Sequence, residues 1–88
     1  MTILFENESI EMTRVQQIYP AAIIHVPDEP GETTPISLEW LEEKGDAVVV
    51  AHYAIIVLYK DRTRHGFTYP DRESLEAGMG RLREAVGA

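Results

Sequence analysis

Residues 46–60, Asp-Ala-Val-Val-Val-Ala-His-Tyr-Ala-Ile-Ile-Val-Leu-Tyr-Lys, hold the densest run of β-branched and aromatic residues in the chain. Such a run marks the centre of a sheet. Along a two-residue period Ile55, Val57 and Tyr59 fall on one face and Ile56 and Leu58 on the other. Both faces are apolar, so both require cover. One strand over residues 47–60 would be about 46 Å long, more than twice the usual length. No Gly, Pro, Asn or Asp inside it specifies a tight turn, so the expected break is a bend or bulge near His52 and Tyr53.

The elements before this run are read from alternation and from proline. Residues 2–5 predict a short strand, residues 6–9 a polar turn and residues 10–15 a second strand with Ile10 and Met12 on one face. Residues 14–19 are read as irregular or extended, because Pro20 disfavours a helix at Tyr19. Residues 21–26 predict a further strand ended by Pro27. Residues 27–35 contain three prolines and three acids and predict an exposed loop. At nine residues it is longer than the usual four to six.

Residues 36–41 fit two templates. A helix is favoured by Pro35 at its start and Gly45 after its end. A strand is favoured by the alternation of Ile36, Leu38 and Trp40 with Ser37 and Glu39, and we read a strand, which only Leu41 resists. Residues 42–45 then form a hairpin connection in which Gly45 takes a left-handed backbone. Beyond the central run, residues 60–66 read as a polar hairpin turn and residues 67–69 as a strand before Pro70. The last segment is the clearest helix, about 16 residues, with Asp71 as cap, Glu73 and Glu76 near its start and Arg81 and Arg83 near its end. Leu75, Met79, Leu82 and Val86 form its apolar stripe. Gly78 beside that stripe permits close approach, and Gly80 faces away and weakens the helix.

Up to seven short strands followed by a helix is an α+β arrangement. We expect one domain, residues 1–88, built as a curled antiparallel sheet or small partly open barrel of about five to seven strands, with one C-terminal amphipathic helix packed on it. The element order resembles the pleckstrin-homology type of arrangement. That resemblance is in order alone; the chain carries no motif of that family, and no ligand site or lipid specificity follows from it.

Composition excludes some functions. There is no cysteine, so thiol redox chemistry and thiolate metal sites are absent and a reducing, cytoplasmic setting is the expectation. The N-terminus lacks the basic and long apolar regions of a secretory signal. The longest nearly apolar run is too short for a membrane helix, which needs roughly 20 residues. Net charge is −7, with residues 1–46 carrying ten acids and two bases. A negative field repels phosphate backbones, so direct nucleic-acid binding is disfavoured and a protein partner is expected.

Candidate sites are few. Lys60, Arg62, Arg64 and His65 form the concentrated basic patch, suited to an anion or an acidic partner surface. Asp28, Glu29 and Glu32 form an acidic loop suited to a basic partner. His25, His52 and His65 match no local metal spacing, and no metal or cofactor is expected. His52 and His65 are the acid-base groups on which a small enzyme would rest, but no positioned nucleophile or paired-acid motif accompanies them. The expectation is a non-enzymatic protein-binding or assembly module. The alternative is an acidic inhibitor or regulator that covers a basic surface of its partner. Self-association as a homodimer is also expected, because a helix of about 16 residues covers only part of a sheet whose central strand is apolar on both faces.

Overall fold

A computed structural model of the chain describes residues 1–87. It contains six strands in two antiparallel sheets, neither closed, and two α-helices, an α+β fold. The first sheet is a hairpin of β1 (Thr2–Phe5) and β2 (Glu8–Glu11). Its two-residue turn, Glu6 and Asn7, has φ of 50° and 67°, the left-handed pair that matches strand twist in a tight hairpin. The second strand is shorter than expected, because residues 12–14 form a 3-10 turn capped by the Glu11 carboxylate. Glu11 also takes bonds from the N-terminal ammonium and the Thr2 hydroxyl, which tie the chain start to the end of the hairpin.

The second sheet runs β4-β3-β5-β6, with β3 Val15–His25, β4 Thr33–Ser37, β5 Val50–Tyr59 and β6 Arg64–Tyr69. Residues 15–25 are one strand, and Pro20 does not interrupt it. β4 pairs with β3 only from Ala21 onward, so at Pro20 the strand has β5 on one side alone and the missing N–H leaves no second ladder unmade. Pro35 is likewise accommodated, since β4 is an edge strand. The loop after β3 is therefore shorter than read: residues 33–35 belong to β4, and Asp28 and Gly31 turn the chain with φ of 65° and 84°. The central strand is a single element of ten residues. Its irregularity lies where expected, with Ile23 opposite His52 and Ile24 opposite Val50, so Ala51 bulges out of register. Arg64, His65 and Gly66 belong to β6 and not to the turn.

The reading of residues 38–45 is overturned. They form helix α1 (Leu38–Lys44) followed by a 3-10 turn (Gly45–Ala47). The Ser37 hydroxyl accepts the Trp40 N–H at 3.1 Å and caps the helix, Leu41 is buried, and Trp40 is 41% exposed. Gly45 is right-handed helical, φ −55°, and not a left-handed turn. Alternation failed here because Leu38 and Leu41, three apart, are the residues that face the sheet, and Trp40 points outward. Helix α2 (Arg72–Gly87) is as expected. Asp71 caps it, accepting the Ser74 N–H at 2.7 Å and the Ser74 hydroxyl at 2.6 Å. Its stripe is shorter than read, for Leu75 and Leu82 are buried while Val86 is exposed. Arg81 serves a tertiary ion pair with Glu6 and not the helix end.

Paired residues in an antiparallel ladder share a face. On one face of the four-stranded sheet lie Ile18, Ala22 and Ile24 of β3, Tyr53, Ile55 and Val57 of β5, and Phe67 and Tyr69 of β6. All the cover packs there. Leu75 and Leu82 of α2 and Ile3, Phe5 and Ile10 of the hairpin join Ile55, Val57 and Phe67 in the main cluster, and the Phe5 and Phe67 rings meet edge-on at 5.0 Å. Leu38 and Leu41 of α1 join Ala22 and Ile24 in a second cluster on the same face.

Candidate functional site

The opposite face has no such layer. β3 contributes Gln17, Tyr19, Ala21, Ile23 and His25 to it, and β5 contributes His52, Ala54, Ile56 and Leu58. The edge strands add Thr33, Pro35 and Ser37 from β4, and Arg64, Gly66 and Thr68 from β6. Its apolar cluster is Ala21, Ala54 and Ile56, with Tyr19 and Ile23 packed against them. Every member comes from β3 or β5, and among the described residues no helix or hairpin side chain joins it. Ala21, Ala54 and Ile56 are 1%, 4% and 7% exposed, with Tyr19 and Ile23 packed against them.

Two properties set this face apart. It presents no Asp or Glu, in a chain with fifteen. Its charged side chain is Arg64, with His25 and His52 as titratable groups. The molecule is also less compact than a monomer of its size. Its accessible surface is 5932 Å², against about 5,200 Å² expected for a folded 9.9 kDa chain. Its radius of gyration is 13.9 Å, against about 12 Å expected for this length. The outline is elongated, 42 × 28 × 21 Å, which accompanies this excess of surface.

The basic patch is split by the pleat. Lys60 and Arg62 sit in the β5–β6 turn, where Arg62 adopts φ 74°, and Arg64 projects on the open face. His65 is on the covered side, where its Nε2 contacts Glu8 Oε2 at 2.5 Å and its ring stands edge-on to Phe67. Folding adds a cation that the spacing did not show. Lys60 N–H donates to the Arg14 carbonyl at 2.9 Å, which brings Arg14 to the same end. Asp61, itself exposed, accepts the Thr63 hydroxyl and N–H, and these bonds, with a smaller contribution from the Arg14 charge, hold its carboxyl below its ordinary range. Arg14, Lys60, Arg62 and Arg64 are all exposed, with no ion pair among the described residues.

Asp28, Glu29 and Glu32 lie in the loop between β3 and β4, exposed and likewise without a cation partner among the described residues. Because β3 and β5 are antiparallel, the loop that follows β3 and the turn that follows β5 lie at opposite ends of the sheet. The two candidate patches thus lie at opposite ends of the sheet, and of their side chains the strand register places Arg64 on the open face.

The histidines are not assembled into a site. His52 lies on the open face opposite Ile23 and His65 on the covered face opposite Val57. Among the described residues no group of three or more His, Asp or Glu side chains is placed to hold a metal ion, and no helix is long and apolar enough to cross a membrane. The Glu8–His65 contact, between residues 57 apart in the chain, had no local signal in the sequence. Neither did the link of Glu6 with Tyr69 and Arg81. The Tyr69 hydroxyl donates to Glu6 Oε2 at 3.0 Å, and Arg81 donates to both Glu6 oxygens at 2.9 Å. This bidentate pair ties the hairpin turn to β6 and α2.

Comparison with family models, with curated proteins and with solved structures returns no match for this chain.

Proposed function

We propose that this chain is a non-enzymatic assembly module that works by burying the open face of its four-stranded sheet against protein. The observation that carries the reading is the one-sided packing: both helices and the hairpin lie on one face, while the half-buried Tyr19 and Ile23 border the buried Ile56 on the other, in a cluster that no helix or hairpin side chain joins among the described residues. Apolar surface of this kind is stabilised by a partner that removes it from water. The lack of carboxylates on the face lowers the desolvation cost of closing it.

The test uses paired baits. Wild-type protein and the Tyr19→Glu variant, each shown to be folded by circular dichroism, are used to retain proteins from native extract, the chain itself included among possible prey. The reading requires at least one protein, or the chain itself, held by wild type and lost by Tyr19→Glu. Identical retained sets would sink it.

A second reading, an acidic inhibitor or regulator, rests on Asp28, Glu29 and Glu32, which stand exposed without cation partners among the described residues. A complex made mainly through these groups weakens steeply as salt rises, since exposed charges are screened beyond about 8 to 10 Å. Binding unchanged between low and high salt counts against it.

A further inference from the structure

We infer that the open face is closed by a second copy of this chain, stacked sheet on sheet and turned end for end, so that the acidic end of each copy lies against the basic end of the other. The inference rests on the proposed docking role of the face and names its occupant.

The first argument is charge. Asp28, Glu29 and Glu32 stand at one end of the sheet, and Arg14, Lys60, Arg62 and Arg64 at the other, separated by β3 and hence by about 33 Å. A chain of net charge −7 repels its own copy in most orientations. Stacking with the strands parallel puts cations over cations and carboxylates over carboxylates. Turning one copy about an axis across the strands pairs opposite charges at both ends, and that axis is a closed twofold. Between the ends the contact surface holds no carboxylate, so the like-charge term that dominates the rest of the molecule is missing there.

The second argument is shape. Ala21 and Ala54 are cross-strand partners and form a hollow between the Tyr19–Ile56 row and the Ile23–His52 row. Turning a copy about that hollow places the Tyr19–Ile56 row of one chain opposite the Ile23–His52 row of the other. Pairing along sheet edges is the competing geometry; edge β4 carries Pro35, which blunts it for strand addition, whereas edge β6 carries no proline and is the edge through which such pairing would run.

Light scattering coupled to size-exclusion chromatography, from about 1 to 500 μM to span common affinities, provides the test. Wild type is expected at twice 9.9 kDa, and Tyr19→Glu, which places an acid on the half-buried rim of the face and does not empty the core, is expected as monomer. Two charge variants fix the orientation. Arg14→Glu/Lys60→Glu and Glu29→Lys/Glu32→Lys are each expected to raise the dimer dissociation constant about tenfold or more, because each sets like charges against like. The quadruple variant carrying both pairs is expected to return to within about threefold of wild type.

A dimer indifferent to Tyr19→Glu overturns the face. A dimer sensitive to Tyr19→Glu but unmoved by either charge pair overturns the end-for-end orientation. A monomer at every concentration overturns self-association. If that monomer still holds a foreign protein that Tyr19→Glu loses, the docking role of the face stands with a different occupant; if it holds none, both readings fall together.

Discussion

At the scale of single residues, the tertiary contacts with the clearest consequences gather around Tyr69. A Cβ added at Gly78 would lie 2.6 Å from the Tyr69 ring, which is buried and anchored by its bond to Glu6. Gly78→Ala should therefore destabilise the fold by about 1–3 kcal/mol through overpacking. Gly80, two positions on, has open space where its Cβ would be, and Gly80→Ala should stabilise by up to about 1 kcal/mol. Urea denaturation of the two variants side by side checks both signs.

Glu6 beneath this ring gives a pH dependence. The Arg81 bond, offset by burial and aided by Tyr69, holds its carboxyl below its ordinary value of 4.5. Its contribution is full above about pH 4.5 and is lost as pH falls through the folded-state value, because the unfolded chain takes up the proton first. Glu6→Gln should make the fall in stability below pH 4.5 shallower. It should not abolish it, since Glu11, held at about 2 chiefly by the Thr2 hydroxyl and then by the terminal ammonium, titrates in the same direction. The Tyr69 phenol is pushed up to about 12, first by burial and then by the Glu6 bond. Its contribution is present below about pH 10 and is lost as pH rises through 12. Tyr69→Phe should remove that alkaline component from denaturation curves.

At the scale of elements, α1 shows how a cap and one buried residue outweigh a strand-like pattern. Seven residues are too few for a helix to stand alone in water. α1 is held by the Ser37 cap and by Leu38 and Leu41 against Ala22 and Ile24. Ser37→Ala should cost about 1 kcal/mol and, by hydrogen exchange, should deprotect the Trp40 amide before those of β3. Equal protection in both proteins would show that the cap bond contributes nothing to the helix. The 11-residue β3 teaches a related lesson. Proline ends a strand where the ladder on its N–H side needs that donor, and at Pro20 the ladder to β4 has already stopped.

At the scale of the molecule, one-sided packing links stability to concentration. If two copies close the open face, folding and association are coupled, and apparent stability rises by mass action. The melting temperature of wild type should climb as concentration is raised from about 1 to 500 μM, while that of Tyr19→Glu should stay constant. A wild-type melting temperature independent of concentration would argue that the face contributes nothing by self-association. Raising salt should lower the wild-type dimer affinity through the charged ends alone. A part that survives high salt is then expected from the apolar centre.

What the sequence determined by itself was local or periodic. The alternation in residues 54–59 predicted a central strand with two apolar faces, the Asp71 cap and the spacing of Leu75 and Leu82 predicted α2, and turn chemistry predicted the β1–β2 and β5–β6 hairpins, though it failed at residues 42–45; each depends on residues within a few positions of one another. That both faces of this strand are apolar was legible too, as a property of Ile55 and Ile56 together; the structure covers the Ile55 face. Which face received the cover was not legible. Both helices and the hairpin pack on the side of Ile55 because Leu41, Leu75, Phe5 and Ile10 meet there, and no local pattern encodes the side of a sheet to which a distant element returns. The same holds for the acidic and basic ends. Asp28 and Arg62 are neutral in meaning along the chain and come to opposite ends of the sheet only because β3 and β5 run antiparallel, a pairing of residues 26 to 44 apart.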